Sequence, residues 1–212
     1  MDHRRTHQRS QQGAVEVTMR LVVLASGNGS NLQAVIDACQ SGSLNAHIVA
    51  VVSDNNSAFA LQRAAQHNID SRVVIGSRNN RAGFNTKLAT VVGEYQPDIV
   101  ILAGFMRLLT MDFLAHFPQR VINLHPALPG ELPGTNAIAR AFDEFTAGKR
   151  TQTGVMVHFV PDEGIDNGPV ITSAIVPIYP SDSFADLQQR MHATEHQLLI
   201  TALTQLTKEH TS

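Results

Sequence analysis

Cysteine is almost missing: Cys39 is the only one in 212 residues. No disulfide can therefore close within the chain, and no thiolate cluster can hold a metal. Such usage suits a reducing, cytoplasmic compartment. Long apolar runs are absent too, none approaching the roughly 18–20 residues that cross a bilayer. Charge of one sign is not in excess. The formal net charge is −2, and no basic stripe interleaved with aromatics marks a nucleic-acid surface. The polar, basic stretch at 1–18 lacks the apolar core of a secretory signal and any helical or strand period. It is expected to be a disordered tail. His3 and His7 stand four residues apart in it, but nothing nearby would hold them as a rigid metal site.

What remains is ordinary globular composition, 43% hydrophobic and 16% charged, and a single domain over 19–212 is expected. RLVVLA (20–25), HIVAVVS (47–53), SRVVI (71–75), DIVILAGF (98–105) and RVINLH (120–125) read as strands. Helical spacing separates them at 31–40, 58–68 and 81–96, and a break follows at MRLLT (106–110). Apolar, non-alternating strands in this rhythm predict an α/β fold, a mostly parallel sheet covered by helices on both faces. TGVMVHFV (153–160) alternates, and GPVITSAIVPI (168–178) is long and interrupted. Mixed pairing is expected there, followed by a last helix over 183–206.

Four places carry polar chemistry. SGNGSN (26–31) joins a strand to a helix, so its backbone N–H groups can converge on an anion. A plain tight turn capped by Ser30 or Asn31 fits equally. A dinucleotide fingerprint is broken, because its third glycine would fall at Leu32. Asn123 and His125 alternate at the end of a core strand and so share a side. Burying them needs partners; at a strand's carboxyl end, His125 suits proton transfer and Asn123 an oxyanion. A capping Asn beside a half-buried His is the bland alternative. VPDEGIDNGPVI (160–171) could bring one carboxylate to His125 or be a solvated acidic turn; calcium is disfavoured by the missing EF-hand spacing. His158 reads as a core histidine or a ligand. His192 and His196 have zinc-like spacing without the H-E-x-x-H order.

SGNGSNLQAVIDAC, AGFMRLL, NLHPALPG and PDEGIDNGPVI, in this order, resemble the phosphoribosylglycinamide formyltransferase family from residue 20 to about 206. The resemblance implies a doubly wound open sheet and formyl transfer from 10-formyltetrahydrofolate, a co-substrate, to glycinamide ribonucleotide in purine biosynthesis. It implies no metal. Gly29, Ser30 and Asn31 would hold the substrate phosphate and its ribose surroundings, with Glu195 at the other end of that substrate. Arg81, Met106, Arg107, Leu108 and Leu109 would line the folate site. Asn123 and the loop Asp162, Glu163, Gly164, Ile165 and Asp166 would complete it. Asn123, His125 and Asp166 match the catalytic trio, with Asp166 keeping the imidazole protonated. The expected partners are small-molecule substrates, with neither nucleic acid nor membrane, on a monomer or homodimer.

ALPGELPGTNAIARA (127–141) departs from the longer Leu-Pro loop and additional histidine of other members. Two relatives share the transferase core. Formyltetrahydrofolate hydrolase usually has a regulatory domain before it, for which the stretch ahead of the first strand is expected to be too short. Methionyl-tRNA formyltransferase has a further C-terminal domain, not expected here. A non-catalytic nucleotide-binding module and a nicotinamide dehydrogenase are the readings from outside one-carbon transfer.

Overall fold

The structure, a computed structural model, describes residues 18–77 and 79–210. Residues 1–17 of the expected tail, with His3 and His7, lie outside them. Seven strands form one sheet: β1 (Met19–Leu24), β2 (Ala46–Ser53), β3 (Ser71–Val73), β4 (Ile99–Leu102), β5 (Val121–His125), β6 (Gln152–Phe159) and β7 (Val170–Pro177). Their spatial order is β3-β2-β1-β4-β5-β6-β7. β1 to β5 pair in parallel, whereas β6 and β7 run antiparallel. The expected doubly wound, mostly parallel sheet with mixed pairing at its end is what forms.

The helices are α1 (Ser30–Gln40), α2 (Phe59–Gln66), α3 (Arg81–Gly93), α4 (Met111–Leu114), α5 (Ala137–Thr146) and α6 (Phe184–His210). Successive strand side chains point to opposite faces, and both faces are covered. Leu21 and Val23 join the α1, α2 and α6 side, with Leu32, Ala60 and Leu199. Val22 and Leu24 join the α3 and α4 side, with Leu88 and Phe113. This two-sided burial explains why β1 reads as a continuous apolar run. Each buried Leu-sized side chain contributes about 1.5–3 kcal/mol before ordering entropy is subtracted. Order reverses at β1, flanked by β2 and β4, and a ligand crevice is expected at the carboxyl ends of strands at such a switch.

Three local expectations are corrected. β6 is buried along six consecutive residues, not alternately, because it lies between β5 and β7 instead of at an edge. Val155 and Val157 join the α6-side core, while Met156 and His158 face the other way and pair in register with His125 and Asn123. Helix α5 was not anticipated; its apolar face, Ile138, Phe142 and Phe145, packs on the same core. α6 continues to His210, beyond the expected end at 206.

Candidate active site

β1 delivers the glycine turn to the crevice. Gly29 sits at φ 75° immediately before α1. A Cβ there would come within 2.8 Å of the Ala60 Cβ, so both conformation and close approach require glycine. No side chain caps this end of α1, so its first-turn N–H groups have no intrahelical acceptor. Asn31 Nδ2 donates to Glu195 Oε2 at 3.1 Å, joining α1 to α6. Burial raises the Glu195 carboxyl above its ordinary value, against the pull of Asn31 and His192. Asn31 Oδ1 is buried without a protein partner.

β5 ends in Asn123 and His125. His125 is 3% exposed, at the strand's last position. Asp166 reaches it from the loop after β6, its backbone in the left-handed region at φ 51°. His125 Nδ1 lies 3.3 Å from Asp166 Oδ2, and Nε2 lies 3.1 Å from the Leu132 carbonyl. Asp166 Oδ1 accepts from Asn123 Nδ2 at 2.9 Å, and Oδ2 accepts from the Gly134 N–H at 2.7 Å. His158 completes the group, with Nε2 3.2 Å from Asn123 Nδ2 and 3.6 Å from Asp166 Oδ1.

Burial pushes the His125 imidazole below its ordinary value, opposed by the Asp166 carboxylate and the Leu132 carbonyl. Asp166 thus favours the protonated ring while burial works against it. Burial works to raise Asp166 too, but His158, the Gly134 N–H and His125 together hold it below the usual carboxylate value. The ring has an acceptor at each nitrogen, an arrangement that stabilises its protonated form.

The loop after β4 forms the opposite wall. The Met106 N–H donates to Ser26 Oγ at 2.8 Å, and Ser26 Oγ donates to Asp54 Oδ1 at 2.6 Å. Arg107 Nε donates to Asp54 Oδ2 at 2.8 Å, while its guanidinium covers the Phe84 ring. Asp54 thus ties the glycine turn to this wall. Arg81 donates to the Leu109 carbonyl at 3.3 Å and stands 3.7 Å from Glu163. Met106, Leu108 and Ile165 leave apolar side chains exposed at the rim.

A cleft of about 550 Å³ runs between these walls. It is lined by Asn31 and Glu195, by Asn123, His125 and Asp166, and by Met106–Leu109 with Asp162–Ile165. Gly29 and Ser30 are not among its lining residues, and Arg81 lines an adjoining cleft that shares Met106, Arg107 and Leu108. The sequence reading missed Asp54, Gly134 and the Leu132 carbonyl, and left His158 undecided; all four become meaningful only once strand register and loop path are known. The described residues offer no group of three His, Cys, Asp or Glu arranged around a metal.

A family model described as formyl transferase matches residues 19–203. Phosphoribosylglycinamide formyltransferase from Dictyostelium discoideum is 39% identical over 201 residues, spanning 88% of this chain and 97% of that protein. The protein of that name from Escherichia coli (strain K12) is 40% identical over 181 residues, 85% of this chain and 83% of its own length. Among solved structures, glycinamide ribonucleotide transformylase 1 from Symbiobacterium toebii superposes with a TM-score of 0.83 at 35% identity, covering 91% of this chain and 89% of that one.

Proposed function

The chain belongs to the formyl transferase family, and on that premise we propose that it transfers the formyl group of 10-formyltetrahydrofolate to the amine of glycinamide ribonucleotide, in purine biosynthesis. The observation that carries this reading is the meeting of Asn123, His125 and Asp166 in one cleft. The polar lining at Asn31 and Glu195 suits a phosphorylated sugar, and the apolar lining at Met106 and Leu108 a heterocycle. The ribonucleotide phosphate rests on the N–H groups at the start of α1, beside Asn31 and Glu195. The folate lies along Met106–Leu109 and the 162–166 loop, with Arg81 beyond. Arg107, engaged by Asp54, shapes this wall from behind. A cytoplasmic setting suits both substrates.

The neutral amine attacks the formyl carbon; a C–N bond forms and the carbonyl oxygen becomes an oxyanion. Asn123 donates to that oxygen. The amine's proton passes to neutral His125, directly or through one water, and Asp166 stabilises the imidazolium. The proton then goes to N10 as the C–N10 bond breaks, releasing tetrahydrofolate and formylglycinamide ribonucleotide. Holding both substrates in one cleft supplies much of the rate by positioning.

His125→Ala tests the reading. Turnover should fall roughly 10²–10⁴-fold, with the dissociation constants of both substrates nearly unchanged by calorimetry. Near-wild-type turnover would sink the assignment.

A further inference from the structure

The loop between β5 and α5 carries backbone groups that touch the reacting pair. The Leu132 carbonyl faces His125 Nε2 at 3.1 Å, and the Gly134 N–H holds Asp166 Oδ2 at 2.7 Å. This loop is not relaxed. Leu132 sits at φ 44° and Asn136 at φ 57°, a region that side-chain-bearing residues leave unless surrounding contacts over-determine it.

Those contacts come from outside the cleft. Arg150, just before β6, donates through Nη1 to Glu131, through Nε to Glu144 Oε2 at 2.8 Å, and through Nη1 to the Gln152 carbonyl at 3.2 Å. Its side chain is 14% exposed, and both carboxylates hold it charged. Arg140 of α5 secures the far side, donating to the Pro133 carbonyl at 2.9 Å. Glu131 immediately precedes Leu132. A guanidinium can bridge two carboxylates and a carbonyl in one plane, whereas an ammonium cannot reproduce that fork.

We propose that Arg150, acting through Glu131, is a positioning residue for His125: it presses the Leu132 carbonyl against the ring and so steadies the imidazolium formed in turnover. The proposal rests on reading His125 as the proton carrier. The charged and titratable groups facing the ring are Asp166 and His158, and neither touches Arg150 or Glu131 in the structure. Releasing the clamp removes a carbonyl that favours the protonated ring, so His125 becomes less basic.

The test uses Arg150→Gln, Glu131→Gln, their double variant and Arg150→Lys in the full chain. Formyl-transfer kinetics are paired with an NMR titration of the His125 ring in substrate-free protein. We expect kcat to fall about tenfold in either Gln variant, since small misplacements at a reacting group are costly, with both KM values within twofold. The His125 midpoint should move to lower pH, Arg150→Lys should recover part of both effects, and the double variant should be no worse than either single one. A His125 midpoint unchanged in Arg150→Gln and Glu131→Gln would overturn the proposal, even if both lose thermal stability. Because the titration needs no substrate, a wild-type protein that transfers no formyl group would overturn the functional reading separately.

Discussion

Replacing Asp166 by Asn changes one atom and removes the charge beside His125. The carboxylate accepts from Asn123 on one oxygen and Gly134 on the other; an amide can accept on only one, so its NH₂ must face a donor. At 3.3 Å between Nδ1 and Oδ2, a full charge pair at an effective dielectric near 20 is worth about 5 kcal/mol. Spreading each charge over two atoms reduces that to about 2–4 kcal/mol for the imidazolium in the intermediate, roughly 30- to 1,000-fold in kcat. Asp166 also raises the proton affinity of His125, so its loss should move the acid limb of kcat/KM to lower pH. The substrate amine titrates identically with either protein, and the difference between the two profiles therefore isolates the enzyme. Initial rates of tetrahydrofolate formation across pH 5–9 provide the readout. A variant within threefold of wild type, with an unmoved acid limb, would refute the role given to this carboxylate.

Asp54→Asn loosens the link from Ser26 to Arg107, and KM for both substrates should rise severalfold while kcat stays near wild type; steady-state kinetics decide this. Gly29→Ala places a methyl 2.8 Å from the Ala60 Cβ at φ 75°. It should cost about 2 kcal/mol, read as a melting temperature lower by about 4–8 °C, and raise the ribonucleotide KM. Burial pushes the Cys39 thiol up to about 11, so alkylation at neutral pH should be slow in the folded protein and accelerate in urea. Both His125 and Asp166 have folded-state values below their ordinary ones. Their stabilisation is thus lost on acidification, for His125 as pH falls below 6.5 toward its folded value, and for Asp166 below 3.8. The difference in urea midpoint between wild type and His125→Gln should accordingly shrink from pH 7 to pH 5 if His125 is the group responsible, and an unchanged difference would contradict the direction given to His125.

The parallel strands were legible because each is buried on both faces and reads as an unbroken apolar run. Asn123 and His125 stood out for the opposite reason: polar groups interrupt such a run where only a partner could justify them. β6 was misread since its central place in the sheet depends on pairing partners far along the chain. Helix α5 carries helical spacing at Ile138, Phe142 and Phe145, but it follows a Pro- and Gly-rich stretch that reads as loop, and that masked its start. His158 owes its meaning to register opposite Asn123, and Asp54 to its closeness to Arg107. Neither relation has a local signature. The burial that works against protonation of His125 is likewise something a motif does not state.

The most direct measurement combines purified protein, glycinamide ribonucleotide and 10-formyltetrahydrofolate, and quantifies both products beside a control lacking the ribonucleotide. Formylglycinamide ribonucleotide and tetrahydrofolate appearing in equal amounts, with nothing released in the control, is the predicted result. Formate and tetrahydrofolate released without the ribonucleotide, or no turnover at all, would contradict it.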